Sequence, residues 1–314
     1  MIITVCLTTT LERNWVIPKF SLGGFYRVQQ EYLFAAGKGV NVARVIKTLN
    51  GQAMCTGFVG GYVGQLFKSL IDQEGIQGCW TEADAETRES ITVFDPESSL
   101  DATSFCPHGP VIQKSEWDRF VAQLYDLAKD VENICISGNI PPGIDAGQFS
   151  TLVEELGRRG SQVWLDLSGP MLAVGAITAP FAIKVNAREI SELACQRVHN
   201  REEALKVSGS LRKAYSIPLI IVTLGPDGSV CSSGWGDWII HPVTYPKIIS
   251  SIGSGDAFLG GVLVQYDRGA PLVESLRAGS AAAAANTQNL GPGVFSSDDF
   301  QYALDRTIVE SAST

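Results

Sequence analysis

The sequence predicts an α/β fold in which helices cover both faces of a mostly parallel sheet. Short apolar runs rich in β-branched residues recur along the chain, and helix-like segments lie between most of them. This alternation is typical of parallel strands joined by crossover helices. Hydrophobic residues make up 45% of the 314-residue sequence, which is ordinary for a protein that buries a sizeable interior.

The apolar runs predict strands of this sheet at residues 2–7, 53–59, 134–137, 163–167, 182–185 and 219–224. The clearest helix is predicted over residues 115–129, where apolar side chains repeat at helical spacing. Ser115 and Asp118 resemble an N-terminal capping pair, so the helix is expected to begin there. The alanine run at 281–285 predicts the crowded middle of a buried helix.

Two stretches interrupt the alternation of strands and helices. Residues 13–34 and 90–106 contain strand-like pieces and turn-forming residues, but no convincing helix. We expect them to pair in space as one small β-sheet that projects from the core. The sequence has no internal repeat or low-complexity linker, so one main core is predicted.

Net charge restricts the possible partners. The formal charge is −9, so the field of the whole protein repels nucleic acids and anionic membranes, and neither is a predicted partner. An anionic substrate therefore needs cations that are placed locally.

Cysteine and histidine usage argues against several kinds of site. The seven cysteines are scattered, odd in number and without a C-x-x-C pair, so neither a disulfide framework nor a zinc site is predicted. The three histidines are isolated from one another, which gives a histidine triad or metal cluster little support. A cytoplasmic location is predicted, since no signal-like start and no stretch of about 18 apolar residues occurs.

The most informative segment is residues 253–261. Gly253 and Gly255 flank Ser254 just before an apolar helix, so backbone N–H groups can converge at a helix N-terminus and attract an anion. Asp256 follows, where its carboxylate can accept a proton from a hydroxyl that attacks a phosphoryl group held over those amides. The alternative is that Asp256 only caps the helix.

Residues 253–261 resemble the second signature of the ribokinase-like (PfkB) carbohydrate kinases, G-A-G-D-x-F-x-x-G, with Ser254 in place of the usual Ala. In that family the Asp is the catalytic base, which implies this role for Asp256. Residues 36–44 are similar to the first signature, G-G-K-G-x-N-V-A-R, in the form found in the phosphofructokinase and tagatose-6-phosphate kinase branch.

Residues 36–44 contain groups suited to a sugar. Gly37 and Gly39 let the backbone approach a ligand, and Asn41 offers a side-chain amide to sugar hydroxyls. The family resemblance implies that the sugar lies against Glu12, Gly37, Lys38 and Asn41. The alternative is an ordinary glycine-rich helix start with a solvated Lys38.

Residues 184–189 resemble the family element K-P-N-x-x-E, with Val185 in place of Pro. The resemblance implies that Lys184 lies near the nucleotide and that Asn186 and Glu189 help to hold Mg²⁺ through water near the phosphates. Mg²⁺ takes oxygen ligands and keeps several waters, so two such side chains suffice. The alternative is a capping pair.

Residues 222–228 look like the family turn V-T-L-G-x-x-G. The resemblance implies that Thr223, Gly225 and Gly228 lie against ATP and that Asn286 lies near the adenine. Without the resemblance, an ordinary hairpin turn and an ordinary polar helix residue explain them equally well.

Residues 137–143 resemble the loop S-G-S-L-P-P-G, and residues 86–88 the E-T-R that precedes a lid strand. In the phosphosugar branch this implies that Arg88, Ser137 and Arg27 grip the substrate phosphate through charge-assisted bonds. The alternative is that both arginines pair with surface carboxylates.

The resemblance extends from Met1 to about Val309. It implies a single ribokinase-like domain over residues 1–314, with a three-layer α/β/α core and a lid formed by two insertions, at about 11–34 and 88–106. The implied activity is Mg-ATP-dependent phosphorylation of a small sugar phosphate, by a homodimer that pairs through its lid.

Departures from the family pattern fall on the sugar-facing side. The usual L-N-P-A-L-D appears as residues 7–12, where Glu12 keeps the charge of the sugar-binding Asp but is longer, and residues 103–110 lose a Glu and an Asn. The resemblance implies a reaction of the 1-phosphofructokinase, 6-phosphofructokinase or tagatose-6-phosphate kinase type. Two alternatives stay open: a kinase of an unphosphorylated sugar or nucleoside, and a non-catalytic sugar-phosphate sensor.

Overall fold

The computed structural model describes residues 1–98 and 102–312. Within them the strands are β1 (Ile2–Cys6), β2 (Thr10–Val16), β3 (Gln30–Ala36), β4 (Ala53–Val59), β5 (Gln77–Glu82), β6 (Arg88–Phe94), β7 (Thr103–Phe105), β8 (Asn133–Ser137), β9 (Gln162–Asp166), β10 (Ala182–Asn186), β11 (Leu219–Thr223), β12 (Ser229–Ser233), β13 (Gly236–Ile240) and β14 (Val309–Ser311). The helices are α1 (Lys38–Thr48), α2 (Gly61–Gln73), α3 (Lys114–Leu127), α4 (Ala146–Arg158), α5 (Pro170–Ala176), α6 (Ala187–Leu193), α7 (Arg201–Tyr215), α8 (Ser254–Asp267), α9 (Leu272–Asn286) and α10 (Ser297–Leu304).

A ten-stranded sheet forms the centre of the fold, in the order β14-β13-β12-β11-β10-β9-β8-β1-β4-β5. Neighbouring strands from β5 to β11 are parallel, whereas β12, β13 and β14 are antiparallel. All the strands predicted from apolar runs lie in the parallel part. The predicted mostly parallel α/β fold is therefore confirmed.

Helices pack on both faces of this sheet and bury its strands on both sides. In β11, Ile220 and Val222 belong to the apolar cluster that contains residues of α3, α4, α6 and α7. Leu219 and Ile221 belong to the cluster that contains residues of α1, α8 and α9. Successive strand residues point to opposite faces, so one strand contributes to both layers.

The alanine run at 281–285 lies in α9, as predicted, and α9 packs closely on α8. A Cβ added at Gly261 would lie 2.6 Å from the carbonyl oxygen of Ala278, and one at Gly279 would lie 2.6 Å from a methyl of Val262. Glycine and alanine therefore allow the two helices to approach at short distance. None of the helices formed by the described residues combines the length and the apolar character that a membrane crossing requires.

A separate four-stranded sheet has the order β3-β2-β6-β7, which confirms that the two irregular stretches pair as one small sheet. Asn14 of β2 connects it to the core by donating a hydrogen bond to the carbonyl oxygen of Leu290, at 2.8 Å. Residues 99–101 of the predicted second insertion and residues 313–314 lie outside the described residues. The assignment of one domain to residues 1–314 stays a prediction.

The start of α3 differs from the sequence prediction. The helix begins at Lys114 after the cap residue Gln113, and the side chain of Glu116 accepts a hydrogen bond from the backbone N–H of Gln113 at 2.7 Å. The predicted capping pair of Ser115 and Asp118 is wrong, because Asp118 is exposed and pairs with Lys114. Glutamine is not among the residues preferred at an N-cap, so the sequence did not indicate that the helix begins after Gln113.

We expect Glu116→Ala to lower the free energy of unfolding by about 2 kcal/mol. The substitution removes the acceptor for the backbone N–H groups of both Gln113 and Asp84. The control Asp118→Ala removes an exposed carboxylate from the same turn and should change stability by less than about 0.5 kcal/mol. Urea unfolding measures both, and equal losses would contradict the assigned cap.

Candidate active site

Polar and charged side chains collect at the carboxyl edge of the parallel strands. Ser137, Asp166 and Asn186 end the neighbouring strands β8, β9 and β10. In open α/β sheets this edge is where ligands bind. The first turn of α1 adds Lys38, whose ammonium pairs with Asp166, and the first turn of α8 adds Asp256, which interacts electrostatically with Asp166 and Lys38.

The turn before α8 places Asp256 at a helix N-terminus. Gly253 caps the helix with a φ of 80°, in the left-handed region that favours glycine. A Cβ there would also lie 2.7 Å from the Cα of Pro292. Asp256 is in the first turn and is 6% exposed, so it lies among backbone N–H groups that have no partner within the helix.

Burial determines the charge state of Asp256. Removal from solvent raises its pKa to about 6, and the carboxylate of Asp166 acts in the same direction, whereas Lys38 and Lys184 oppose them. The side-chain nitrogen of Asn41 donates a 2.7 Å hydrogen bond to Oδ2 of Asp256. The carboxylate therefore gains or loses its proton slightly below neutral pH.

Asp166, which has no role in the sequence prediction, lies at the centre of an ion cluster. It is fully buried, with the ammonium of Lys38 at 3.2 Å and that of Lys184 at 3.3 Å. Burial alone would raise the pKa of Asp166, but the two ammonium groups hold it below its ordinary value. Its place near the end of a predicted strand is the signal that could have identified it.

Ser137 points into the same cluster rather than outward. Its side chain is 1% exposed, and its hydroxyl donates to Oδ2 of Asp166 at 3.3 Å. The predicted contact between this hydroxyl and a substrate phosphate is therefore not supported by its placement. A serine at a strand end can face either the cleft or the core, and here it faces Asp166.

Lys38 is half-buried, so the solvated alternative does not describe it. It begins α1 directly after Gly37, whose φ is 117°. Burial alone would lower the pKa of Lys38, but the carboxylates of Asp166, Asp256 and Glu189 together raise it. The ammonium group therefore stays charged at neutral pH.

Lys184 lies against the turn that precedes α8. Its side chain is 5% exposed, and a Cβ added at Gly255 would lie 2.7 Å from its ammonium nitrogen. The absence of a side chain at Gly255 thus lets a buried cation approach the backbone amides of the helix N-terminus. Both features favour an anion at the same place.

Asn286 lies behind this turn, and its position near the adenine stays a prediction. It is fully buried; its nitrogen donates to the carbonyl oxygen of Ile252 at 2.8 Å and to the hydroxyl of Ser254 at 3.1 Å. Its oxygen accepts from the N–H of Gly293 at 2.7 Å. Because both ends of the amide are used, Asn286 supports the turn and presents no face to a ligand.

The backbone of Ser254 is also used internally, since its N–H donates to the carbonyl oxygen of Ser251 at 3.2 Å. The predicted anion site therefore depends less on this amide than on those that follow it in the first turn. The side chain of Asn41 also points inward. Its oxygen accepts a hydrogen bond from Arg44 at 3.2 Å, and its nitrogen donates one to Asp256.

Asn186 and Glu189 form the capping pair that the sequence left as an alternative. The oxygen of Asn186 accepts from the N–H of Glu189, and Glu189 accepts from the N–H of Asn186, both at 2.9 Å. In the described part of the chain, no three His, Cys, Asp or Glu side chains could hold a metal ion together. The pair fits an ion that keeps its waters and takes further oxygens from phosphates.

Glu12 and Arg88 lie on adjacent strands of the small sheet. The guanidinium of Arg88 donates to the hydroxyl of Thr10 and, at 2.9 Å, to the carbonyl oxygen of Pro107, rather than to a surface carboxylate. Burial raises the pKa of Glu12. Its Oε1 is buried without a hydrogen-bond partner among the described residues, so this acceptor is satisfied only if a donor reaches its buried position.

The remaining predicted residues occupy two separate places. Thr223 ends β11 in register with Asn186, and Gly225 and Gly228 lie in the turn from β11 to β12. This turn is a hairpin connection, as in the simpler alternative, yet it lies beside the strand end of Asn186. Arg27 is exposed in the segment between β2 and β3. It forms no hydrogen bond or ion pair with the other predicted site residues in the described ranges 1–98 and 102–312.

A mostly parallel sheet between two helix layers, together with a small separate sheet, places the chain in the ribokinase-like fold class. The chain matches the profile of the pfkB family carbohydrate kinase over residues 20–299 and belongs to that family. It is therefore a carbohydrate kinase.

Relatives of known activity are similar along most of the chain. The 1-phosphofructokinase of Bacillus subtilis is 26% identical over 297 residues, 94% of this chain and 96% of the relative. The tagatose-6-phosphate kinase of Staphylococcus epidermidis is 28% identical over 264 residues, 83% of this chain and 84% of the relative. The crystal structure of phosphofructokinase-2 from Escherichia coli in complex with substrates and products superposes with a TM-score of 0.91, at 26% identity, over 97% of this chain and 98% of that one.

We expect Gly255→Ala to lower the turnover of ATP about a hundredfold while the fold is kept. The added Cβ would lie 2.7 Å from the ammonium of Lys184, so this buried group must move, whereas alanine itself suits a helix. The control Gly157→Ala in α4 adds a Cβ with nothing within 4 Å and should keep full turnover. Turnover assays and thermal unfolding check both, and a fully active Gly255→Ala variant would contradict the placement of Lys184.

Proposed function

We propose that the protein transfers the terminal phosphoryl group of ATP to a hydroxyl of a small sugar phosphate, with Asp256 as the general base. The observation that carries the proposal is the buried carboxylate of Asp256 at the N-terminus of α8, with its pKa raised to about 6 by burial. A base with this pKa is ionised at neutral pH and still basic enough to accept a proton.

The proposed step needs one free carboxylate oxygen. Asn41 donates to Oδ2 of Asp256, and we assign Oδ1 to the sugar hydroxyl. As the hydroxyl oxygen forms its bond to the terminal phosphorus, its proton passes to Asp256 and the bond from that phosphorus to the ADP oxygen breaks. Lys184 and the amides of the first turn of α8 stabilise the charge on the phosphoryl group in transit.

The nucleotide is proposed to lie along the turn that contains Thr223, Gly225 and Gly228, beside the end of β10. Asn186 and Glu189 would hold Mg²⁺ through water, and the ion supplies charge neutralisation on the phosphates when it is bound. The chain itself contributes Lys184, which is placed beside the same amides.

The substrate is proposed to carry a phosphate of its own. Arg88 is half-buried beside the carboxyl edge, and it is not neutralised by a surface carboxylate. A planar guanidinium suits bidentate binding of phosphate, and Arg27 can add a second cation if the segment that carries it approaches. Glu12 would accept a sugar hydroxyl through Oε1. The names of the relatives, 1-phosphofructokinase and tagatose-6-phosphate kinase, describe sugar-phosphate substrates.

We extend the proposal to a homodimer that pairs through the small sheet and acts in the cytoplasm. The strands β3 and β7 at its edges expose Tyr32 by 42% and Phe105 by 53%. Exposed aromatic side chains on sheet edges are suited to burial against a second copy.

We expect Asp256→Asn to lower turnover about a thousandfold, because the amide cannot accept the proton of the hydroxyl. Binding of the sugar phosphate, measured by calorimetry, should remain within about tenfold of the wild type. The control Asp267→Asn changes a carboxylate at the other end of α8 and should keep turnover. Retained turnover in Asp256→Asn would remove the basis of the proposal.

A panel of acceptor substrates tests whether the accepting sugar must already carry a phosphate. ATP turnover is measured with fructose 1-phosphate, fructose 6-phosphate, tagatose 6-phosphate and their unphosphorylated sugars. Turnover with a sugar phosphate supports the proposal, and preference for a free sugar or nucleoside supports the first alternative. Binding of a sugar phosphate without turnover of any compound identifies a sensor.

We expect Arg88→Met to lower kcat/KM for the best sugar phosphate about a hundredfold, since charge-assisted bonds to the phosphate are lost. The value for the unphosphorylated sugar should change less than about threefold. The control Arg13→Met removes an arginine of the same sheet that pairs with Glu31 and Glu89, and it should leave the preference unchanged. Equal losses for both sugars would contradict the assignment of Arg88.

A further inference from the structure

Arg44 of α1 is a buried arginine without an assigned role. Its side chain is 7% exposed and forms two hydrogen bonds with the carboxylate of Glu74, at 2.6 and 2.9 Å. It also donates to the carbonyl oxygens of Ala35 and Pro292 and, at 3.2 Å, to the side-chain oxygen of Asn41. A guanidinium has five N–H donors in a fixed plane, so these contacts fix its position.

Asn41 lies between Arg44 and Asp256. Its oxygen accepts from Arg44, and its nitrogen donates to Oδ2 of Asp256 at 2.7 Å. Arginine can only donate and an ionised carboxylate can only accept, so one orientation of the amide satisfies both neighbours. In that orientation the hydrogen bond from Asn41 favours the ionised form of Asp256.

We propose that Arg44 is a positioning residue that fixes the amide of Asn41, so that a donor always faces the carboxylate of Asp256. The inference rests on the proposed role of Asp256 as base. Without Arg44 the amide can turn its oxygen toward Asp256. Two acceptors then face each other, which favours the protonated carboxyl group and removes the base.

The proposal predicts a change in pH dependence, so the other groups around Asp256 matter. Those that interact with it electrostatically are Lys38 on α1, Asp166 on β9, Lys184 on β10, Glu12 on β2, Cys6 on β1 and Cys135 on β8. Arg44 itself interacts with Glu12. The first test variant therefore keeps a positive charge at this position, and any variant that replaces it must keep the local net charge.

Arg44→Lys keeps the charge but replaces the planar fork with a single ammonium group. Wild-type kcat should rise with pH as Asp256 loses its proton, with its half-point near pH 6. In Arg44→Lys we expect this half-point to move up by about one pH unit, so that kcat near pH 6 falls about fivefold. KM for the sugar phosphate should stay within about threefold, because Arg44 does not touch the substrate.

Glu74→Gln is the matched control. It breaks the ion pair with Arg44 but leaves the donation from Arg44 to Asn41, so the pH profile should not move. Asn41→Leu removes the bridging amide and should raise the half-point by itself. Addition of Arg44→Lys to Asn41→Leu should then cause no further shift, because both changes act through one contact.

A second variant distinguishes a loss of protein stability from a loss of the positioning of Asn41. If circular dichroism shows that Arg44→Lys does not fold, Arg44→Met combined with Glu74→Leu takes its place, since it removes the buried guanidinium and the partly exposed carboxylate together and so keeps the local net charge. A folded variant with the wild-type pH profile overturns the inference, as does a further shift on the Asn41→Leu background. Either of these results leaves the proposed function unaffected as long as Asp256→Asn is inactive. An active Asp256→Asn variant overturns the proposed function.

Discussion

The carboxylate of Asp256 is almost completely removed from solvent, where a charge is costly unless other groups compensate for it. Lys38 and Lys184 are the nearby cations, and each of them also pairs with Asp166. Two carboxylates and two ammonium groups therefore compensate one another as one cluster. Loss of any one of these four groups leaves an uncompensated charge in the cluster. The four groups therefore have to lie together at this edge, where β9 and β10 end and α1 and α8 begin.

Local charge also explains how an acidic protein can attract anions. The net charge is −9, and at physiological salt its field is screened over about 8 Å. In the proposed function, Lys184, Arg88 and the amides in the first turn of α8 would act on phosphates at hydrogen-bond distance in a medium of lower dielectric, where each interaction is stronger. The distribution of charge on this edge thus matters more than the sign of the whole protein.

The fold could be predicted where the sequence pattern is local. Continuous apolar runs revealed six of the seven parallel strands, whereas the edge strand β5 and the serine-rich strand Ser229–Ser233 have no such pattern and were missed. Asp256 was found because the glycines that position it are its neighbours in sequence. Asp166 was missed because its partner Lys38 is 128 residues away. The role of Asn286 was taken from a motif, which identifies a residue but not the side of the turn on which its side chain lies.

Residues 290–293 form a short segment that contacts three parts of the site. The carbonyl oxygen at 290 accepts from Asn14 of the small sheet, the one at 292 accepts from Arg44, and the N–H at 293 donates to Asn286, at 2.8, 2.9 and 2.7 Å. The segment also packs so closely on Gly253 that no Cβ fits there. Hydrogen bonds of this length tolerate little displacement. A shift of β2 that moves this segment must therefore also move the supports of Asp256 and of the turn before α8, which couples the position of the small sheet to the geometry of the base.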